Sequence, residues 1–217
     1  KGGDINLASS AQRAFGVATE QNTDGVRIQA STLESGGGDI AIYGNAASSS
    51  TTGGAAINIY GASNLLALGG VGTGNILIDG RVHTASGGAN KDAVLIGNRG
   101  QATVRVETDS GTIRILGDAS AVTNATVGAS YNGVELTDAA MIRSVSGNIE
   151  ITGKGGGGNN NNVAENYGIK LRNADTQIVS HTGNITLTGV TGGKTTSYGI
   201  HASGDDIAIG QERDTDT

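Results

Sequence analysis

The residues of this sequence that could do chemistry are few and widely spaced. The three histidines, His83, His181 and His201, are too far apart in the chain to match the spacing of metal ligands on one element. The chain contains no cysteine, so a thiolate zinc site and a disulfide framework are both excluded. We therefore predict that the protein binds no metal and no cofactor.

One short segment brings acidic and basic groups together in the sequence. Arg172, Asn173, Asp175 and His181 could form an acid–base cluster, but we expect Asp175 and His181 to lie in different strands or corners. Glycan cleavage requires two carboxyl groups across a groove, or clustered aspartates that bind calcium. The aspartates do not recur at one position of the repeat described below, so they form no acidic ladder. They are Asp39, Asp79, Asp109, Asp118 and Asp138. The sequence thus predicts no catalytic residue, and we expect a protein that is not an enzyme.

Three tyrosines show a repeated placement. Tyr131, Tyr167 and Tyr198 come shortly before a Gly-Val or Gly-Ile pair in three consecutive repeats, which predicts an aromatic ladder at one corner of the fold. Such a ladder can stabilise the corner or form a ligand platform, and we favour the structural role. The segment 124–126 matches a glycosylation sequon, and the sequence leaves open whether Asn124 is modified.

The charge balance excludes further classes of partner. The chain has 14 Lys and Arg against 20 Asp and Glu, a net charge of −6, and its basic residues form no cluster. We therefore expect no binding to nucleic acid, which requires a basic surface. No apolar run approaches the roughly 20 residues of a membrane helix.

The elements that must position these residues come from an internal repeat. A motif of the form Gly-Asn/Asp/Thr-Ile-x-Ile/Leu-x-Gly begins at glycines 3, 38, 74, 111, 147 and 183, so successive copies are 35 to 37 residues apart. The first copy lacks the closing glycine. Apolar residues alternate with positions of mixed chemistry, as expected for a β-strand with one buried face. The positions expected to face outward are Asn6, Ala41, Leu77, Arg114, Glu150 and Thr186.

Each period also contains two further strand signals. The first comprises 25–28, 56–59, 93–96, 133–136, 168–171 and 199–202, and the second comprises Leu33, 66–68, 104–106, 141–142, 177–179 and 207–209. Three short strands per period predict a three-sided parallel β-solenoid of about six turns, with one turn per repeat. An arrangement with two turns of 18 residues in each period is the less favoured alternative. An antiparallel sandwich or barrel gives no reason for the period, and disorder fits only the low-complexity insertions.

Glycine and polar residues concentrate at corners and insertions. The chain contains 38 glycines and no proline, and we expect glycine and asparagine to adopt positive φ at the corners. The insertions lie at 44–55, 118–132 and 154–166. We expect the segment 154–165 to protrude from one corner, because its glycine and asparagine runs have little apolar surface to bury.

The strands at 168–171 and 183–189, with a short isoleucine strand between them, resemble the filamentous-haemagglutinin-type repeats of large bacterial exoproteins. The resemblance covers essentially the whole chain through short degenerate motifs. It implies a right-handed parallel β-helix that an outer-membrane transporter exports by two-partner secretion from a Gram-negative bacterium. This chain departs from the compact repeat of that family by its longer insertions, and the family includes adhesins, haemolysins and contact-dependent toxin-delivery proteins.

The sequence and this resemblance together favour a structural or adhesive function. We expect residues 1–217 to form a single β-helical repeat domain, a fragment of a longer shaft, that is secreted or held at the cell surface. Its expected partners are a receptor or glycan on a host or neighbouring cell and, through unpaired terminal strands, further copies of itself. A polysaccharide-binding or polysaccharide-cleaving β-helix, and the presentation arm of a toxin, are the alternatives.

Overall fold

A computed structural model describes residues 2–8, 16–17, 24–46, 54–69, 74–82, 91–97, 102–123, 129–157, 166–192 and 197–211. Every regular element in these residues is a β-strand, which confirms the all-β prediction. The described part of the chain includes no helix long and apolar enough to cross a membrane.

The strands form three parallel sheets. The first sheet contains β1 (Ile5–Leu7), β5 (Ile40–Ala46), β8 (Ile76–Val82), β11 (Ile113–Asp118), β14 (Ile149–Lys154) and β17 (Ile185–Val190), with β2 (Gly16–Val17) paired to β5. The second contains β3 (Val26–Gln29), β6 (Gly54–Tyr60), β9 (Lys91–Ile96), β12 (Val134–Thr137), β15 (Ile169–Arg172) and β18 (Ile200–Ser203). The third contains β4 (Thr32–Glu34), β7 (Asn64–Ala67), β10 (Val104–Thr108), β13 (Ala140–Ser144), β16 (Gln177–Ser180) and β19 (Ala208–Gln211).

Each sequence period makes one turn of the solenoid. The first isoleucines of the repeat pair in one unbroken column, Ile5, Ile40, Ile76, Ile113, Ile149 and Ile185. This register confirms one turn per period of about 36 residues and excludes two turns of 18 residues. Six turns extend over roughly 29 Å along the axis, at a strand spacing of about 4.8 Å.

The core lies inside the three sheets. Inward residues of every middle turn are buried, because alternate side chains of each strand point to opposite faces. In β7 the inward residue is Leu65, which pairs with Leu33 and Val106, whereas Leu66 lies half-buried on the outer face. The strand predicted at 66–68 therefore lies too far toward the C-terminus, because β7 spans Asn64–Ala67.

Most motif glycines are required by close approach of the backbone rather than by positive φ. A Cβ at Gly153, the closing glycine of β14, would lie 1.9 Å from the carbonyl oxygen of Gly168 at the start of the second sheet. The opening Gly74 is equally tight against the carbonyl of Gly38 in the preceding turn, at 1.8 Å. Positive φ instead occurs mainly at the corner between the second and third sheets, where non-glycine residues such as Ala62 and Asn173 adopt it.

In four turns, the Asn or Asp before the first isoleucine accepts a hydrogen bond from the backbone of the next turn. The Oδ1 atom of Asp39 accepts a hydrogen bond from the backbone amide of Asn75 at 2.7 Å, and Asn75 Oδ1 accepts from the amide of Thr112 at 2.9 Å. Asp4 and Asn148 accept in the same way from the next turn. These bonds satisfy backbone amides at the corner, which lie outside the strand pairing. This explains why the motif has a polar residue at this position.

The first turn does contain a closing glycine. Gly16 pairs with Gly44, the closing glycine of the second turn. In the second turn the closing glycine lies two residues after Ile42, whereas in the first turn Gly16 lies nine residues after the equivalent Leu7. The prediction that this copy lacks the glycine was wrong, because an insertion separates it from the rest of the motif.

A second, smaller core lies at the corner between the first and second sheets. Its buried residues are Ala46, Ala56, Val82, Ala93, Ala119, Val122, Ala129 and Tyr131. Gly156 and Gly157 are buried there and donate hydrogen bonds to the carbonyls of Tyr131 and Val122 at 2.9 and 2.8 Å. The expectation that the segment from Lys154 protrudes is thus wrong for residues 155–157, and 158–165 lie outside the described residues.

Candidate functional site

The outer face of the second sheet carries the densest set of functional groups in the described residues. Two positions of the repeat supply them, and we call them together the second-sheet column. One is the outward residue of each strand, namely Arg27, Asn58, Leu95, Glu135, Lys170 and His201, all in register. The other lies two residues before the first core residue of each strand and comprises Asp24, Ala55, Asp92, Asn132, Tyr167 and Tyr198.

The earlier position builds a second inter-turn ladder. Oδ1 of Asp24 accepts a hydrogen bond from the Ala55 amide at 2.9 Å, and Oδ1 of Asp92 accepts from the Asn132 amide at 3.1 Å. Asn132 Oδ1 accepts in turn from the Tyr167 amide at 3.0 Å. These side chains therefore hold successive turns together, as the motif Asn and Asp residues do on the first sheet.

Asp92 and Glu135 form a buried carboxyl pair around Asn132. The amide nitrogen of the Asn132 side chain donates to Asp92 Oδ1 at 2.9 Å and to Glu135 Oε2 at 3.0 Å. Burial, followed by the negative charge of Glu135, raises the pKa of the Asp92 carboxyl to about 8, against opposing hydrogen bonds from Asn132 and the charge of Lys170. Asp92 is therefore mostly protonated at neutral pH.

Two basic residues of the next turn balance this pair. Arg172 Nε lies 2.6 Å from Glu135 Oε1, which makes a charge-assisted hydrogen bond with a buried carboxylate. Lys170 is buried beside Glu135 in the register, and its Nζ lies 5.5 Å from the ring centroid of Tyr167, within cation–π distance.

Only two of the three predicted ladder tyrosines stack. The Tyr167 and Tyr198 rings lie 5.9 Å apart at 7°, and His201 stacks on Tyr167 at 4.6 Å and 10°. Tyr131 instead points into the second core and is fully buried. It precedes its glycine by two residues rather than one, and a one-residue shift turns a side chain to the opposite face. Asn132 occupies the ladder position in that turn.

The segment Arg172 to His181 does not form an acid–base cluster. Arg172 binds Glu135, and Asn173 donates to Thr137 Oγ1 and Asp138 Oδ1 at 2.9 and 2.8 Å. Asp175 lies at the corner before β16 and His181 follows that strand, so the two are separated as expected. No group of three or more His, Asp or Glu in the described ranges is arranged to hold a metal ion, and His83 and Asn124 lie outside those ranges.

A charged cleft lies on the outer face of the first sheet. Arg81, Asp118 and Lys154 occupy one register position in successive turns, so positive and negative side chains alternate along the axis. Asp118 accepts from Lys154 Nζ at 3.3 Å, and Asp79 accepts from Arg81 at 3.0 Å. Burial acts to raise the pKa of Asp118, but hydrogen bonds from Ser120 and Lys154 outweigh it, so the pKa is lowered.

The buried middle part of the second-sheet column forms a connected polar network. Asp92, Asn132, Glu135 and Lys170 are all buried, and hydrogen bonds of Asp92 with Asn132 and of Glu135 with Arg172 join neighbouring turns. This buried carboxyl pair joins successive turns, because Asp92 accepts from Asn132 and Glu135 accepts from Arg172. No known family model matches the sequence, and neither a curated protein nor a solved structure matches the chain.

Asp24, Asp92 and Glu135 were missed by the sequence reasoning. A signal for the first two existed, because each lies two residues before the first core residue of a second-sheet strand. The sequence did not indicate that Glu135 lies beside Asp92. The two residues occupy different positions of the repeat in successive turns, and only the register of the folded strands brings them together.

Proposed function

We propose that this chain is a non-enzymatic structural segment of a bacterial exoprotein, secreted or held at the cell surface, which serves as a rigid shaft in adhesion. The observation that carries the proposal is the unbroken register of all three sheets through six turns. A stack in which every column continues without a break resists bending, because each turn is hydrogen-bonded to its neighbours on three sides. The resemblance to filamentous-haemagglutinin-type repeats supports the proposed route of export and class of protein.

The state of the polar residues supports a structural role over an enzymatic one. The carboxyl pair Asp92 and Glu135 is buried and engaged with Asn132 and Arg172. The polar residues of the first-sheet motif are likewise engaged between turns. Polar groups are thus used to join turns, which is what a long shaft requires.

An adhesion assay tests the proposal. Beads coated with the chain should attach to epithelial or bacterial cells, whereas beads coated with an unfolded Ile113→Asp variant should not, because that variant places an unpaired charge in the core. A panel of polysaccharides incubated with the chain should release no reducing ends and no unsaturated products. Attachment no better than that of the unfolded control would count against adhesion, and reproducible cleavage would overturn the non-enzymatic assignment.

The charged cleft favours polysaccharide binding as a second candidate. Asp79, Arg81, Asp118 and Lys154 line it, and such side chains can bind the hydroxyl and acidic groups of a glycan. If this candidate is correct, the double variant Asp118→Asn with Lys154→Gln loses binding to a glycan panel. The matched control Arg105→Gln with Glu107→Gln, an ion pair on the third sheet, retains it.

A further inference from the structure

Lys170 is a buried amine on the second sheet, in the middle of the stack. It is only 6% exposed, and it lies beside Glu135 of the preceding turn in the strand register. Its Nζ lies 5.5 Å from the centroid of the Tyr167 ring. Burial is the main cause of the raised pKa of Asp92, and the charge of Lys170 opposes it, which places the amine within electrostatic reach of the carboxyl pair.

Asn132 presents a polarised amide to the same network. Its Oδ1 accepts a hydrogen bond from the backbone amide of Tyr167 at 3.0 Å. Its Nδ2 donates to Asp92 Oδ1 at 2.9 Å and to Glu135 Oε2 at 3.0 Å. A backbone N–H group on the carbonyl oxygen stabilises the negative charge that develops there when a nucleophile attacks Cγ. The two carboxyl groups contact the nitrogen that such an attack would release.

The register brings the amine and the amide into one place. Glu135 and Tyr167 are the two residues that flank Lys170, one in the register and one through its ring. Both also hydrogen-bond to Asn132, Glu135 at the side-chain nitrogen and Tyr167 at the side-chain oxygen. A nucleophile and an acyl group that are held in one buried network react as if at high concentration, because the entropy of bringing them together is lost on folding.

The charge balance of this network is compatible with a neutral amine. Asp92 is mostly protonated at neutral pH, so Glu135 is the ionised member of the carboxyl pair. Arg172 binds that carboxylate at 2.6 Å. When Lys170 is an ammonium, two cations face one anion in a buried site. When Lys170 is an amine, the charges of Glu135 and Arg172 cancel, which suits a site with little access to water.

We propose that Lys170 and Asn132 form an intramolecular isopeptide bond, which ties the turn of β15 covalently to the turn of β12. Glu135 takes one proton from the Lys170 ammonium, and Nζ attacks Cγ of Asn132. Asp92 donates its proton to Nδ2, which leaves as ammonia when the Cγ–Nδ2 bond breaks, and Asp92 regains a proton from Nζ. Glu135 passes its proton to the ammonia, so the products are one amide and one ammonium ion.

The bond would form once in each chain and without turnover, so it is compatible with a protein that is not an enzyme. It would add a covalent tie to turns that are otherwise joined by hydrogen bonds and packing. The inference goes beyond the role as a shaft and does not depend on it.

Mass spectrometry of the folded chain tests the bond directly. The intact chain should be lighter than its sequence by one molecule of ammonia. A succinimide at the bond between Asn132 and Gly133 would also lose ammonia, so tryptic peptides must distinguish the two products. The isopeptide bond should prevent cleavage after Lys170 and join residues 115–143 to residues 155–172 in one branched peptide.

Variants separate the linked pair from the groups that assist the reaction. Lys170→Arg and Asn132→Ala should show neither the mass deficit nor the branched peptide. Glu135→Gln retains both linked residues but cannot accept the lysine proton, so the bond should form about a hundredfold more slowly in a time course of intact mass. The matched control is Asn148→Ala, which also loses an inter-turn hydrogen bond but should keep the full deficit. Circular dichroism checks the folding of each variant.

Four outcomes would overturn the proposal or its mechanism. A wild-type mass equal to that of the sequence would overturn it, and so would a mass deficit without the branched peptide. Loss of one water instead of ammonia, with Lys170 joined to Asp92 or Glu135, would contradict the assignment of Asn132 as the acyl group. An undiminished rate in Glu135→Gln would contradict its role in proton transfer. None of these measurements involves attachment to cells, so they are independent of the adhesion assay.

Discussion

At the scale of single residues, the two faces of one strand differ sharply in their tolerance to substitution. Ile113 is fully buried between Ile76 and Ile149, whereas the neighbouring Arg114 is exposed and forms only a surface ion pair with Glu150. We expect Ile113→Ala to lower the free energy of unfolding by about 2–5 kcal/mol, because it leaves a cavity. Arg114→Ala should change it by less than about 1 kcal/mol. Urea denaturation measures both, and equal losses would contradict the assigned faces.

The raised pKa of Asp92 makes stability depend on pH. The native state holds a proton on this group up to about pH 8, whereas the unfolded chain releases it near pH 4, so this group lowers stability as pH rises between those values. We expect Asp92→Asn to lose this dependence, so its stability relative to wild type increases from pH 5 to pH 8. The variant keeps Oδ1 as an acceptor for Asn132.

Asp118→Asn is the matched control for that pH series. The pKa of Asp118 is lowered, so its ionised form stabilises the native state above about pH 4, and the contribution is lost only as pH falls below that value. The difference between Asp118→Asn and wild type should therefore be constant from pH 5 to pH 8. A constant difference for Asp92→Asn as well would show that Asp92 is ionised in the native state.

At the scale of elements, the closing glycines determine how closely the first and second sheets meet. We expect Gly153→Ala to lower the free energy of unfolding by about 1–3 kcal/mol, because its Cβ would overlap the Gly168 carbonyl oxygen and the backbone must move. Gly3→Ala is the control, since nothing lies within 4 Å of a Cβ there. Thermal unfolding of the two variants measures the contrast, and similar melting temperatures would contradict the role assigned to Gly153.

The elements were predictable from sequence to the extent that their signals lie within one period. The isoleucine column, the three strands per turn and the outward position of Arg114 all follow from alternation and from the even spacing of the motif. The second core was not predictable in this way. Ala56 and Ala93 lie in predicted strands, whereas Ala119, Ala129 and Tyr131 lie in the long connection between β11 and β12, and only the folded corner brings the two groups together.

The second core also changes what is expected of the low-complexity segment. On composition alone, deletion of residues 156–162 would leave stability nearly unchanged. Gly156 and Gly157 donate hydrogen bonds into the second core, so we now expect that deletion to be destabilising. Deletion of 158–162, which retains both glycines, is the matched comparison in urea denaturation. Equal stability of the two deletions would show that these hydrogen bonds contribute little.

At the scale of the whole molecule, one turn per period means that a turn can be removed without changing the rest. Deletion of residues 40–75 joins Asp39 to Ile76 and brings β1, β3 and β4 against β8, β9 and β10, with Ile5 on Ile76 and Leu33 on Val106. We expect this variant to fold and unfold cooperatively, with a smaller denaturant m-value because less surface is buried. Deletion of 40–57 removes about half a period and should abolish folding. Loss of structure in both variants would contradict independent stacking of turns.

Because the period is constant, each added turn has nearly the same entropic cost of loop closure. Each backbone group pairs with a residue about one period away, however many turns the chain contains. Loop-closure entropy depends on the number of residues in the loop, so every added turn closes a loop of nearly the same size. Once a first pair of turns has nucleated, its open edge acts as a template, and each later turn propagates the structure against the same barrier. Folding of such a chain can therefore advance in one direction as residues become available.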